Sequence, residues 1–378
     1  MSFAIKLQAP LTHRSTGPGL ILVVPDSPDP KLSDIGFLLD PLPSQKWAEE
    51  GFCTACISLS PEASHEFDSA LKAAVDQLSN MPTLSASNKF GSYMLLRTVY
   101  GTALLNQAII SVPSFSSIGA VIGYSKSVFD MKQSTHFLSL IHCAGAPISS
   151  PGIYTYDVAN EYFVIPGQPA YDKASATLAH QRSLVFLRRF FDGPYFDLEK
   201  IWEEHTLYEF GERAVEKTMA QEPYVNHVPT LTGGIGRTAL TEFYANHFIF
   251  SNPDSFALKL VSRTIGPDRI VDELIIDFIH DRVIDWMLPG ILPTGKAVRI
   301  PLVGVVNVRG DKLYHEHIYW DQASVLVQIG LLPPQLAFPA DFDAAGLAGK
   351  TFPLPVTGLK QAEKMLDPVG IPSNELIP

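Results

Sequence analysis

The sequence predicts an α/β domain built on a mostly parallel sheet, followed by an α+β domain. Two patterns predict this order. In the first half, short apolar runs alternate with segments of helical spacing, which is typical of a parallel sheet covered by helices on both faces. In the second half, two or three helical segments precede several long strands, which is typical of an α+β arrangement. The chain has 378 residues, 46% of them hydrophobic, which is enough for two domains.

Short apolar runs predict the buried strands of the first domain. The four runs are Leu20–Val24, Phe52–Leu59, Ile118–Gly123 and Phe137–Ile141. Helical spacing lies between and after them, over residues 65–78 and 170–190. The sequence Phe191-Asp192-Gly193-Pro194 breaks the second of these helices, so we place the first domain at residues 1–192.

The second domain is predicted to begin with a helix over residues 198–210. Trp202, His205 and Glu209 fall on one stripe of that helix, and His205 and Glu209 face each other because they are four residues apart. A second helix is predicted over 237–250. Strands follow at about 256–264, 270–286, 297–309 and 312–326. We place this domain at 197–332, with a Pro-rich extension at 333–378 that packs back on the domain or across a dimer.

The last predicted strand is unusually rich in polar and aromatic side chains. Because side chains alternate along a strand, His317, Tyr319 and Asp321 share one face. A face with imidazole and carboxylate groups needs polar partners when it is buried, so it is predicted to form one wall of a small pocket. His280 has the parity of the apolar residues on its own strand and is predicted to face the same interior. The alternative is a solvated sheet face with one buried ion pair.

This region also resembles a known family. Trp320-Asp321, followed by Gln328-Ile329-Gly330, resembles the SnoaL-like polyketide cyclases of the nuclear-transport-factor-2-like superfamily, over about residues 197–332. The resemblance implies a curved antiparallel sheet around a long helix, a cone-shaped pocket and a homodimer. It also implies that Asp321 is the acid/base of an intramolecular aldol ring closure.

Spacing and resemblance together give a candidate site for proton transfer beside a carbonyl. In such a site one group takes a proton from carbon and another stabilises the enolate oxygen. The candidate catalytic residues are Asp321, His317, His280, His205 and Glu209. The candidate pocket residues are Trp202, His227, Phe243, Phe278, Trp286 and Tyr319. We expect isomerisation or cyclisation of a small apolar, polyketide- or terpenoid-like carbonyl compound, with no cofactor and no metal.

The third apolar run of the first domain leads into Gly123-Tyr124-Ser125-Lys126-Ser127, a partial match to the nucleophile elbow G-x-S-x-G. With WAEEGF before the second strand and YDVANEYF near the end of the domain, it resembles the dienelactone hydrolase family of α/β-hydrolases over residues 15–192. The resemblance implies that Ser125 is a nucleophile. Two departures indicate a degenerate triad: Glu161 stands in the place of the family's His, and residues 141–147 contain no Asp.

Net charge and composition limit the partners and the cellular compartment that we expect. The net charge is −11 without a basic patch, so we expect neither nucleic acid nor an anionic membrane as a partner. Cys53 and Cys56 lie in one apolar run, which suits core thiols in a reducing compartment, and the N-terminus lacks a signal-peptide pattern. We therefore expect a cytoplasmic protein. Three functions stay open: a cyclase or isomerase, an ester or lactone hydrolase using Ser125, and a non-catalytic binding or assembly protein.

Overall fold

The computed structural model describes residues 3–25, 39–59, 65–85, 89–95, 115–126, 137–145, 151–208, 219–341 and 346–377. The chain divides into two compact units. The first comprises Met1–Asp197 with Arg309–Asp311, and the second comprises Leu198–Val308 with Lys312–Pro378. The Pro-rich C-terminal extension predicted at 333–378 therefore belongs to the second unit.

The first unit contains a seven-stranded sheet with the spatial order β1-β3-β2-β4-β5-β6-β7. Its strands are β1 (Phe3–Gln8), β2 (Gly19–Pro25), β3 (Cys53–Leu59), β4 (Phe90–Leu95), β5 (Ile118–Ser125), β6 (Leu138–Ala144) and β7 (Ile153–Tyr156). Strand β1 pairs antiparallel with β3, and the other neighbours pair in parallel. The mostly parallel sheet that the sequence predicted is present, and β1, β4 and β7 are strands that the apolar runs did not reveal.

Both faces of this sheet are buried, which explains why its central strands are continuously apolar. The helices are α1 (Pro43–Glu49), α2 (Phe67–Ser79) and α3 (Lys173–Phe191), with a 3₁₀ helix at Glu161–Val164. Ile21 of β2 packs in a cluster with Leu71 and Leu78 of α2. The neighbouring Leu22 packs in a second cluster with residues of α1 and α3. Alternate side chains of one strand thus contribute to two separate cores.

The second unit contains a six-stranded sheet with the order β10-β11-β12-β13-β8-β9. Its strands are β8 (Met219–His227), β9 (Thr232–Ile235), β10 (Ala257–Ile265), β11 (Arg269–Ile279), β12 (Ala297–Arg309) and β13 (Lys312–Trp320). Strand β11 pairs antiparallel with β10 and β12, whereas β8 pairs in parallel with β13. The α+β class follows from this sheet and from its helices, and the parallel pair corrects the fully antiparallel sheet that was expected.

Helices and a small hairpin complete the second unit. The helices are α4 (Leu198–Thr206), α5 (Arg237–Phe243, continued by a π-helical turn at Tyr244–Phe248), α6 (Gln322–Gln328) and α7 (Lys360–Leu366). A two-stranded hairpin joins β14 (Gln335–Ala337) and β15 (Thr351–Pro353). Leu240, Tyr244 and Phe248 pack with β11 and β12 in one apolar core.

Two predicted strands end earlier than expected. The strand predicted over 270–286 ends at Ile279. The last strand was predicted to continue to residue 326, but β13 ends at Trp320, and Asp321 accepts a hydrogen bond from the Ala323 amide to cap α6. Residues 219–227 form β8, a strand that the sequence patterns did not reveal. Pro223 is tolerated there because the register with β13 shifts between Leu313 and His315, so no ladder hydrogen bond is required of it.

Within the described ranges, no helix has both the length and the apolar character needed to cross a membrane.

Candidate functional site

A cavity of about 220 Å³ lies in the second unit, between α4 and the strands of the six-stranded sheet. Most of its lining is apolar or aromatic, and a few polar groups converge on it, which is typical of a small-molecule site. The apolar lining residues are Trp202, Val225, Phe248, Phe256, Leu258, Leu260, Leu274, Trp286, Leu302 and Ile318. The polar ones are Thr206, His227, Arg263, Asp272 and Glu316.

Glu316 is a carboxylate in this wall that is 3% exposed. It lies on β13, on the same face as Ile318 and Trp320, because alternate side chains of a strand share a face. Its Oε1 atom is 3.3 Å from Nε2 of His205, a fully buried residue of α4. This is an ion-pair distance without hydrogen-bond geometry. The carboxylate and imidazole therefore form a buried acid/base pair at the cavity.

A second carboxylate, Asp272 on β11, is fully engaged by donors. Nε1 of Trp202 donates to Oδ2 at 2.9 Å, and Arg263 donates through Nε to Oδ1 at 2.8 Å and through a terminal nitrogen to Oδ2 at 2.9 Å. The hydrogen bonds to Asp272 raise the pKa of Arg263 above its usual value. Such a bidentate pair neutralises the buried charge of Asp272, so this carboxylate is suited to orientation rather than to proton transfer.

Arg263 reaches the cavity because β10 contains a bulge. The pairing of β10 with β11 shifts between Leu260 and Ser262, which leaves Val261 as an extra residue. Leu258 and Leu260 line the cavity, and after the bulge Arg263 lies opposite Asp272 and lines it too.

His227, at the end of β8, contributes a neutral imidazole to the cavity. Burial lowers its pKa to about 4, so it is uncharged near neutral pH. Its Nδ1 lies 3.3 Å from the Thr232 carbonyl oxygen, which can only accept, so Nδ1 carries the proton and Nε2 has a free lone pair. The ring packs against Trp286 at 4.9 Å and Phe248 at 5.4 Å.

The structure brings some of the sequence-predicted residues to this cavity. Trp202, His227 and Trp286 line it, and His205 meets it through Glu316. Phe243 and Phe278 are instead buried in the apolar core of the unit. Glu209 lies outside the described residues.

The predicted polar face of β13 does not line the cavity. His317 and Tyr319 lie on the face opposite to Glu316, where the His317 ring packs near Tyr224 at 5.4 Å and Tyr319 is 42% exposed. The reason is that Ile318 and Trp320 give the other face the apolar surface needed for the core, and Glu316 shares that face.

Asp321 and His280 have structural surroundings. Asp321 accepts hydrogen bonds from the Ala323 amide at 3.0 Å, from Ser324 Oγ at 2.5 Å and from Gln361 at 3.4 Å, so it is engaged as the cap of α6. His280 is fully buried beyond the end of β11, and its Nδ1 lies 3.1 Å from Thr294 Oγ1. Burial lowers the pKa of His280.

In the first unit, Ser125 ends β5 and is 1% exposed, whereas an elbow nucleophile is exposed. The nearby His142 lies 2.8 Å from the Tyr156 hydroxyl through Nδ1 and 2.9 Å from Ser183 Oγ through Nε2. With both ring nitrogens engaged, this imidazole is not placed to activate Ser125.

Among the residues that the structure describes, no group of three or more His, Cys, Asp or Glu side chains could hold a metal ion.

Comparisons with known proteins give distant likenesses. No family model matches the chain, and no curated protein matches it. Among solved structures, a protein described as a SnoaL-like polyketide cyclase from Jannaschia sp. CCS1 is 18% identical, covering 37% of this chain and 99% of that one, with a TM-score of 0.30. A protein described as a polyketide cyclase from Acidithiobacillus ferrooxidans is 17% identical, covering 36% of this chain and 96% of that one, with a TM-score of 0.30. A protein with a ketosteroid isomerase-like fold from Catenulispora acidiphila is 15% identical over 35% and 93%, with a TM-score of 0.28.

TM-scores of this size carry no inference about the reaction. The chemistry of the site therefore rests on its own residues.

Sequence reasoning missed Glu316, Asp272 and Arg263. The signal for the first two was present, since Glu316 shares parity with Ile318 and Trp320, and Asp272 shares parity with Leu274 and the other apolar residues of β11. Arg263 was hidden because the bulge breaks the alternation that would place it.

Proposed function

We propose that the second unit catalyses acid/base isomerisation or cyclisation of a small apolar carbonyl compound in the 220 Å³ cavity. The observation that carries this proposal is the buried Glu316 carboxylate in an otherwise largely apolar wall, 3.3 Å from the His205 imidazole. A carboxylate withdrawn from water and held beside an imidazole suits proton transfer at carbon. The volume lies below the roughly 300–1,000 Å³ of drug-sized sites, which favours a small substrate.

In this mechanism Glu316 takes the proton from the carbon next to the carbonyl. Returning the proton to another carbon gives isomerisation, and attack of the enolate on a second carbonyl gives ring closure. Among the described lining residues, Arg263 alone carries a permanent positive charge. Its Nε and Nη1 atoms and one N–H of Nη2 are directed at carboxylates, so we assign the remaining N–H of Nη2 to the enolate oxygen. His227 supplies a lone pair at Nε2 for a hydroxyl of the substrate.

The sequence resemblance to SnoaL-like cyclases supports the reaction class and a polyketide-like substrate. It assigns the acid/base role to Asp321, whereas we assign that role to Glu316, because Asp321 is engaged as a helix cap. The homodimer that the resemblance implies stays a prediction, which light scattering of the purified chain would measure.

The test measures hydrogen–deuterium exchange at the α-carbon of two small ketones, cyclohexanone and 2-tetralone. The exchange is monitored by proton NMR in D₂O. Glu316→Gln should lose the exchange, since an amide cannot accept the proton. The matched control is Glu273→Gln, the same substitution at an exposed carboxylate of β11. Equal exchange rates in the wild type and Glu316→Gln would contradict the proposal and favour a binding or assembly role.

A hydrolase function for the first unit is the second candidate. It is favoured by the position of Ser125 at the carboxyl end of β5 within a parallel sheet, where an α/β-hydrolase holds its nucleophile. The burial of Ser125 and the engagement of His142 count against it. A fluorophosphonate probe, with Ser125→Ala as the control, distinguishes the two.

A further inference from the structure

We infer that Trp202 is a positioning residue, which the buried Asp272–Arg263 pair orients so that it fixes His205 against Glu316. This inference rests on the function proposed above, because it assigns a role within the same site. It adds three residues that neither the sequence patterns nor the comparisons assign to such a role.

The first step is the orientation of the indole. Trp202 is 6% exposed, and its Nε1 donates to Asp272 Oδ2 at 2.9 Å. Asp272 is in turn held by two hydrogen bonds from Arg263, which also pairs with Glu199 of α4 at 3.0 Å. A carboxylate with a bidentate partner has a fixed plane, so the indole that donates to it has a fixed orientation.

The second step is the orientation of the imidazole. The Trp202 and His205 rings are stacked, with centroids 5.5 Å apart and an angle of 13° between their planes. Stacking on a fixed surface prevents the imidazole from tilting, and this holds its Nε2 atom 3.3 Å from Glu316 Oε1. Asp272 and Trp202 thus fix the plane in which Nε2 of His205 meets the carboxylate, although neither exchanges a proton.

The arrangement explains why the cavity contains a carboxylate that is already neutralised. Asp272 would be an expensive buried charge if it only bound Arg263. Its third hydrogen bond, from Trp202, connects this ion pair to the acid/base pair through a single ring. Catalytic groups held by packing and by hydrogen bonds of neighbouring residues keep productive geometry, and a displacement of about 1 Å can cost up to about 100-fold in rate.

The experiment uses the full-length chain labelled with ¹⁵N at histidine. Long-range ¹H–¹⁵N NMR reads the tautomer of His205, assigned with a His205→Gln variant. Trp202→Phe keeps a ring but removes the donor, so the His205 signals should move toward tautomer-averaged values. The matched control is Trp286→Phe, in which another lining indole loses its bond to Asn252 at 2.9 Å, and there the His205 signals should stay as in the wild type.

Asp272→Asn conserves volume and tests the same chain of contacts if Trp202→Phe does not fold. We expect it to shift the His205 signals in the same direction, and we expect kcat for ketone exchange to fall by up to about 100-fold with a smaller change in KM. Unchanged His205 signals in both folded variants, or an equal shift in Trp286→Phe, would overturn the inference. The wild type could show no ketone exchange while the His205 NMR signals still shift in Trp202→Phe or Asp272→Asn. That result would overturn the proposed reaction and support the positioning role of Trp202.

Discussion

Each unit buries a histidine among aromatic rings. The two histidines, His142 and His227, differ in what their ring nitrogens face. His142 in the first unit stacks on Tyr124 at 4.7 Å and has hydroxyl groups within hydrogen-bond distance of both ring nitrogens. His227 in the second unit has one ring nitrogen bound to a backbone carbonyl and lines a cavity. A buried imidazole whose two nitrogens are engaged is part of the core, whereas one that borders a cavity is available to a ligand.

The largest expected effect is on the ketone exchange rate, which should depend on the second unit and not on the first. Glu316→Gln should reduce ketone exchange by about 100- to 10,000-fold, the range typical for loss of a general acid/base. His142→Gln should lower the stability of the first unit and leave the exchange rate unchanged, because its hydrogen bonds are internal to that unit. NMR exchange rates measured on both variants at the same folded fraction check this contrast. Loss of exchange in His142→Gln would remove the distinction between the two histidines.

Acid should weaken both units through these histidines. Burial lowers the pKa of His142 to about 3 and of His227 to about 4, while an unfolded histidine titrates near 6.5. The unfolded state therefore binds more protons below pH 6.5, so the stability that each neutral imidazole contributes is present above that pH and is lost as the pH falls toward the folded pKa. The loss is roughly 2 kcal/mol per group between pH 7.5 and 5.

Urea unfolding of His142→Gln and His227→Gln at pH 7.5 and 5 measures this loss. Each substitution should reduce the pH difference in the free energy of unfolding for its own unit only. The comparison uses the difference between the two pH values, since glutamine changes the absolute stability as well. In either variant, the free energy of unfolding could differ between the two pH values by as much as in the wild type. That result would show that the substituted imidazole does not cause the pH dependence.

A smaller effect distinguishes the helix cap from an acid/base. Asp321→Ala should cost about 1 kcal/mol of stability, the usual worth of an N-cap, and Asp321→Asn should cost less because asparagine also caps helices. Both variants should retain ketone exchange. Thermal unfolding and the exchange assay check this, and abolished exchange in folded Asp321→Asn would restore the acid/base role that the SnoaL-like resemblance implies.

The smallest expected effect is on Ser125. A fluorophosphonate probe should not label the wild type at Ser125, because the side chain is 1% exposed and His142 is engaged elsewhere. Mass spectrometry of the labelled peptide, with Ser125→Ala as the control, measures this. Labelling at Ser125 would show an activated hydroxyl and make the first unit a second catalytic centre.

The sequence predicted the strands whose two faces are both buried. Strands β2, β3, β5 and β6 were visible because both of their faces are buried, so nearly every residue is apolar. Strands β1 and β7 were not, since β1 alternates at the edge of the sheet and β7 is only four residues long.

The candidate site was predicted in part for a related reason. Alternation divides the side chains of β13 into two faces but does not say which face is buried, and the two histidines drew attention to the face that lies away from the cavity. The helical stripe on α4 had no such ambiguity, and it placed Trp202 and His205 on the side that meets the cavity.

The bulge in β10 has a consequence for how this chain would align with others. Val261 is the residue that the pairing with β11 passes over. A chain one residue shorter at that position would form a regular strand, and Leu260 and Arg263 would still face the cavity. A length difference at position 261 is therefore neutral for the site, whereas one between Arg263 and the turn at 266–268 would separate the guanidinium from Asp272. A gap in an alignment of β10 belongs at Val261.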